Sequence, residues 1–389
     1  MSSTVCPSCL NTSFEPLIDF GRMPRTGYFL SSPEQSYPTL TLSFEFCSHC
    51  GLIRRIIDEE ETADYTEVDR KTDRQLPNYV TEIVEKLENN QVHKDDLIIE
   101  IGANDGTFLN LLAARGFEKR LAVEPSIALA KLCSEKGHQI WNTHLDESQA
   151  LNIKEKWGLA KVVICRHTLE HVPNPRALLL AMRSLLDREG ILFLEVPDSC
   201  VILEKLQGHE LWDEHLHYFT VNNLSFILNN TGFNIEQIKS LAHRSSANIL
   251  AWCRVNSTTS TAIKLTESNA DVDACRSFAE RWQSLFQDIF SQIDISEKPI
   301  VAIGASHLQS NFLQFTKFGQ YVDFLVDDDP GKIGKYVSLP QPVPIISTER
   351  LFSEFSPKTI FKTAFGYEEW MNRISKNFEQ DKIKIISPY

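Results

Sequence analysis

The stretch Leu97-Ile-Ile-Glu-Ile-Gly-Ala-Asn-Asp-Gly-Thr-Phe108 constrains this chain more than any other part of it. An apolar run of β-formers meets a glycine turn, and a helical pattern over 107–115 starts at once. A strand that hands over to a helix so abruptly belongs to a βα unit and needs a parallel neighbour. The pattern recurs. Strands are expected at 97–101, 121–124, 139–141, 162–165 and 191–196, with helices at 107–115, 127–136 and 176–186. Two further strands, 235–240 and 249–254, have no long helix between them and are expected to pair antiparallel. The expected class is therefore α/β, with a doubly wound, Rossmann-like sheet. The chain is 389 residues long, 42% apolar and 23% charged, which suits two or three globular domains.

The turn itself is shaped for a ligand. Gly102 and Gly106 let the backbone approach closely, and the helix start presents N–H groups to a carboxylate or a phosphate. A dinucleotide fingerprint requires G-x-G-x-x-G, whereas this chain has G-x-x-x-G preceded by an acid, Glu100. Leu121-Ala-Val-Glu-Pro125 then places Glu124 at the tip of the next strand, where a carboxylate accepts both hydroxyls of a ribose. Acid, two glycines and a second acid at this spacing fit S-adenosylmethionine best. The expected cofactor-binding set is Glu100, Gly102, Asn104, Asp105, Gly106, Glu124 and Pro125, with His167 after the fourth strand beside the methionine part.

Two C-x-x-C knuckles, Cys6-Pro-Ser-Cys9 and Cys47-Ser-His-Cys50, lie in a segment of short apolar stretches and turns read as a small loop-rich module. Two knuckles close a tetrahedral four-cysteine site for Zn²⁺, structural because no coordination position stays open. The other five cysteines read as core residues.

After the fifth strand comes Leu211-Trp-Asp-Glu-His-Leu-His-Tyr-Phe-Thr220, with two acids, two histidines and three aromatics. Loops at the carboxyl ends of such strands line the ligand crevice. Glu170 and His171, in Arg166-His-Thr-Leu-Glu-His171, read as helix-start residues that hold their loop.

The segments EIGANDGTFL, AVEPS and ICRHTLEHVPNP, with DFGRMPRTGYFL near the start and VDFLVDDDPGKIGKY near the end, resemble a family of three-part class I methyltransferases. Its members combine an N-terminal zinc-binding domain, a central methyltransferase domain and a C-terminal Rossmann-like domain. The best-known ones C-methylate nucleotide-linked deoxysugars. The resemblance implies domains at 1–70, 71–258 and 259–389, the last closing over substrate. It also implies that His215 is the general base, with Glu214 orienting it or binding substrate. Trp212 stands where those enzymes carry a tyrosine. Trp212, His217, Tyr218 and Asn248 are the implied substrate contacts, Asn248 lying in a segment that departs from the family pattern. An O- or N-methyltransferase of another small metabolite is the alternative.

Other classes fit less well. A net charge of −13 disfavours phosphate backbones and anionic lipid, so neither nucleic acid nor membrane is an expected partner. The N-terminus has no signal-peptide pattern and no apolar run is long enough to span a bilayer, which implies a cytoplasmic protein; a monomer or homodimer is expected. The second α/β unit, with Gly304-Ala-Ser306 and Asp327, lacks the dinucleotide glycines, which argues against an NAD enzyme.

Overall fold

The computed structural model describes residues 5–57, 76–243, 246–256, 269–291, 293–361 and 384–386. The expected boundaries at 70/71 and 258/259 lie outside the described residues.

The N-terminal segment is not loop-rich. It forms strands β1 (Phe14–Pro24), β2 (Phe29–Leu30), β3 (Thr39–Cys47) and β4 (Ile53–Ile56). The period-two signal is present in β3, where Leu40, Leu42, Phe44 and Phe46 are buried and the residues between them are not. Pairing of β1 with β3 sets Phe14 opposite Cys47, so the long gap between the knuckles is an antiparallel hairpin.

The central segment runs through α1 (Tyr79–Asn89), β5 (Ile98–Ile101), α2 (Thr107–Ala114), β6 (Arg120–Val123), α3 (Ile127–Glu135), β7 (Gln139–Trp141), α4 (Glu147–Trp157) and β8 (Ala160–Arg166). It continues with α5 (Pro175–Leu185), β9 (Leu186–Pro197), α6 (Ser199–Glu204), β10 (His217–Tyr218), α7 (Val221–Asn230), β11 (Phe233–His243) and β12 (Ser246–Val255). The sheet order is β11-β12-β9-β8-β5-β6-β7, with β12 antiparallel to both neighbours. Chain order reverses between β5 and β8, and a crevice opens at the carboxyl ends of strands around such a switch point. The strands facing both helical layers are buried along nearly their whole length, as in β5 and β8.

The last segment contains α8 (Asn269–Ser291), β13 (Ile300–Ile303), α9 (His307–Phe315), β14 (Phe324–Val326), β15 (Tyr336–Val337), β16 (Val343–Ile346), α10 (Thr348–Glu354), β17 (Thr359–Phe361) and β18 (Lys384–Ile386). Strands β18, β17, β13, β14 and β16 are parallel, which makes a second Rossmann-like sheet. Two short strands leave their own segment. β2 extends this last sheet by pairing with β15, and β10 extends the N-terminal sheet by pairing with β4. Among the described residues no helix is long and apolar enough to cross a membrane.

Candidate active site

Backbone geometry explains the glycines of the first turn. Gly102 sits at φ +71°, and a Cβ there would stand 2.1 Å from Thr168 Oγ1. Gly106 sits at φ +77° as N-cap of α2, and a Cβ there would meet Cys133 Sγ at 2.6 Å. Asn104 adopts φ +53°, a conformation that asparagine tolerates better than most side chains. Glu124 reaches back from the end of β6: its Oε2 accepts from Asn104 N–H and its Oε1 from Ser126 N–H, both at 2.9 Å. Pro125 follows, and its carbonyl, like that of Glu124, accepts from Asn142 Nδ2. Burial raises the Asp105 carboxyl, but Lys136 and Thr107 donate to it and hold it below the usual range.

Glu100 is 3% exposed, and its Oε2 has no hydrogen-bond partner among the described residues. Burial pushes its carboxyl up to about 8, against the pull of Arg166, so it is largely protonated near neutrality. A neutral buried acid beside a glycine turn is poised to ionise against an arriving cation.

A second feature was missed in the sequence. Glu195, near the end of β9 and 0% exposed, accepts from Arg166 Nε at 2.6 Å, Asn248 Nδ2 at 3.0 Å, His167 Nε2 at 3.2 Å and the Tyr79 hydroxyl. Burial raises its pKa, but these donors hold the carboxyl far below its usual range. His167 stands at φ +48°. Desolvation lowers its pKa, yet Glu170 and Glu195 more than reverse this and lift it to about 9. Asn248 therefore joins this network at the strand ends, donating to Tyr79 and Glu195. The network unites α1, β8, β9 and β12, which lie far apart in the chain, so no local motif announced it.

The loop before β10 meets the same edge. His171 Nδ1 donates to Glu214 O at 2.9 Å, and Leu216 N–H donates to Glu170 O at 2.8 Å. Glu170 and His171 lie in a one-turn 3₁₀ helix, Leu169–His171, directly after β8. The His215 ring stands 4.7 Å from His171, 4.9 Å from Trp212 and 5.6 Å from Tyr218. Trp212 in turn stacks at 4.6 Å on His307, the first residue of α9, a partner that sequence reasoning did not single out. His215 and Trp212 are half-buried and Glu214 is buried. His217 and Tyr218 form β10 and are buried. The Tyr218 hydroxyl accepts from Trp212 N–H and lies within donating distance of Glu210 O and Trp212 O, and burial pushes the His217 imidazole down to about 4.

The four knuckle sulfurs converge, all within 4.8 Å of one another. Cys6 and Cys50 Sγ stand 3.6 Å apart and Cys9 and Cys47 Sγ 3.4 Å, too far for a disulfide. Sulfurs about 2.3 Å from one tetrahedral ion stand roughly 3.8 Å apart, so the donor set fits a single Zn²⁺. In the last segment Asp327 accepts from Ala305 N–H at 2.9 Å and pairs with Lys332 at 3.0 Å.

Residues 68–238 match the model of a methyltransferase domain. Over these residues sheet order, glycine turn and family match agree on a class I methyltransferase domain. Among curated proteins the chain is similar to the C-methyltransferase NovU of Streptomyces niveus, 22% identical over 238 residues, covering 60% of this chain. The match spans 56% of that protein, a little over half its length. Two solved structures are also similar. One is an S-adenosylmethionine-dependent methyltransferase from Clostridium acetobutylicum, 12% identical, covering 46% of this chain and 91% of that one, with a TM-score of 0.39. The other is magnesium protoporphyrin IX methyltransferase from Synechocystis, 18% identical, covering 46% and 78%, with a TM-score of 0.36.

Proposed function

We propose that this chain transfers a methyl group from S-adenosylmethionine to a carbon beside a ketone, in a sugar linked to a nucleotide. The observation that carries the reading is the double hydrogen bond tying the Glu214–Leu216 loop to Glu170 and His171, directly after β8. It holds an imidazole, His215, against the Leu169–His171 turn that follows β8. When bound, the donor supplies an electrophilic methyl on a cationic sulfur. The chain's own residues bind and orient. Glu124 accepts from the ribose, the Gly102–Gly106 turn admits the nucleoside, and Glu100 ionises against positive charge. His215 takes the proton from the acceptor carbon, and a positioned base of this kind contributes about 10²–10⁴-fold. Glu214 orients substrate or base, while Trp212 and His307 wall the acceptor side. The four sulfurs hold a structural Zn²⁺. The name of the curated relative supports carbon as the acceptor atom, and the sugar rests on the resemblance of the motifs.

The test is incubation of purified protein with S-adenosylmethionine and dTDP-, CDP- or GDP-linked 4-keto sugars. A gain of one methylene mass is expected on one of them, with the new methyl on carbon by NMR. No gain on any keto-sugar removes the sugar assignment, and a methyl on oxygen or nitrogen removes the carbon-acceptor assignment.

A further inference from the structure

A second group of metal-ligand side chains stands apart from the four cysteines. Glu170, His171 and His215 each bring one donor atom within 4.8 Å of the other two. Donors bound to one ion at about 2.0–2.2 Å stand roughly 3–4 Å apart, so small side-chain rotations bring all three onto it. Glu170 is 1% exposed, and neither carboxylate oxygen has a hydrogen-bond partner among the described residues. Its nearest titratable neighbour is His167, with Nδ1 3.5 Å away. A carboxylate so enclosed is costly unless cations face it.

His171 is prepared in the way that metal ligands are. His171 donates from Nδ1 to Glu214 O, which leaves its lone pair on Nε2. Metal-bound imidazoles are commonly fixed through the opposite nitrogen in this manner. The Leu216-to-Glu170 main-chain bond draws the His215 loop onto the Glu170–His171 turn before any ion arrives. Two imidazoles and one carboxylate suit borderline transition ions rather than Mg²⁺ or Ca²⁺.

We propose that Glu170, His171 and His215 form a second metal site, which takes a divalent transition ion such as Zn²⁺, Co²⁺ or Ni²⁺ beside the methyl-transfer site. The ion occupies the lone pair with which His215 accepts a proton, so ion binding and turnover exclude each other. This second consequence, unlike the binding itself, rests on the function proposed above.

The experiment uses full-length protein whose cysteine site already holds one equivalent of zinc, titrated with Co²⁺ by calorimetry and visible absorption without methyl donor. One further equivalent is expected in the micromolar range, with affinity falling as pH drops through the histidine range. His171→Ala and the near-isosteric Glu170→Gln are each expected to weaken it at least tenfold, while zinc content and melting temperature report that the fold persists. Methyl transfer is expected to fall in step with occupancy and to return when the weakly held ion is removed by gel filtration, with the cysteine zinc retained. The site is overturned if no second equivalent binds up to about millimolar ion, or if its affinity is unchanged in both His171→Ala and His215→Gln. Full turnover with the second ion bound overturns the inhibitory role. A second equivalent bound by a protein that methylates nothing overturns the proposed function and leaves the site standing.

Discussion

The Arg55 guanidinium, in β4, donates to the main-chain oxygen of Asp213 at 2.8 Å, one residue before Glu214. The same arginine donates its main-chain N–H to Leu216 O at 3.0 Å, and β4 pairs with β10 through Arg54–His217 and Ile53–Tyr218. The strand that leaves the second cysteine knuckle thus grips the His215 loop from both sides. Arg55→Met leaves the Asp213 carbonyl without this donor, worth about 1.5–3 kcal/mol for a bond to a charged group. Turnover is expected to fall at least tenfold with donor-product affinity unchanged, and Arg55→Lys to recover part of the loss. Equal losses in both quantities would show a general loosening instead.

His215→Gln keeps the loop but removes the proposed base. Turnover is expected to drop about 10²–10⁴-fold, with the dissociation constant for S-adenosylhomocysteine within a factor of two or so of wild type. Stopped-assay rates and calorimetry measure the two separately.

Glu100 gives a pH signature. Its carboxyl is raised from 4.5 to about 8 by burial, so the folded chain keeps a proton that the unfolded chain has lost. Its contribution to stability therefore falls as pH rises from about 4.5 to about 8. Glu100→Gln removes that slope. At pH 8 the variant is expected to be more stable than wild type by on the order of 2–4 kcal/mol, while its affinity for the cationic donor falls. Denaturant melts across pH read the first effect and calorimetry the second.

Gly102→Ala puts a methyl 2.1 Å from Thr168 Oγ1 at φ +71°. A loss of about 1–3 kcal/mol is expected from the conformation alone. Donor-product binding is expected to suffer further as the turn shifts, which thermal melts with and without S-adenosylhomocysteine resolve.

Chelation of the zinc proposed for the four cysteines, or Cys47→Ser, is expected to lower stability by several kcal/mol, since a structural ion contributes its binding energy to the fold. Because β4 follows directly on this site, turnover is expected to fall before the central sheet melts. Metal content by mass spectrometry, followed against activity and far-UV circular dichroism, checks the order.

Much of the site was legible because its signals are local. The strand-to-turn-to-helix passage at 97–108, the acid at 124 and the two knuckles depend on residues within a few positions of each other, where backbone sterics and ligand spacing leave readable marks. The reading of the first 60 or so residues as loop-rich missed the strands because β1 carries two irregularities in its register, between Pro16 and Ile18 and between Asp19 and Gly21, that blur its alternation. Helix α4 was not set apart because its first turns are polar, though Asp146 caps it by accepting from Gln149 N–H.

The amino-acid sequence by itself determined the α/β class, the glycine turn with its flanking acids and the sulfur knuckles, because short-range geometry and residue chemistry dictate these. Only the tertiary structure decided that Glu195 gathers Tyr79, Arg166, His167 and Asn248, that Arg55 holds the His215 loop and that His307 covers Trp212. Those side-chain contacts join residues from 28 to 158 positions apart. A local pattern carries no record of such separations, and only closure of the packed sheets brings the partners within hydrogen-bonding reach.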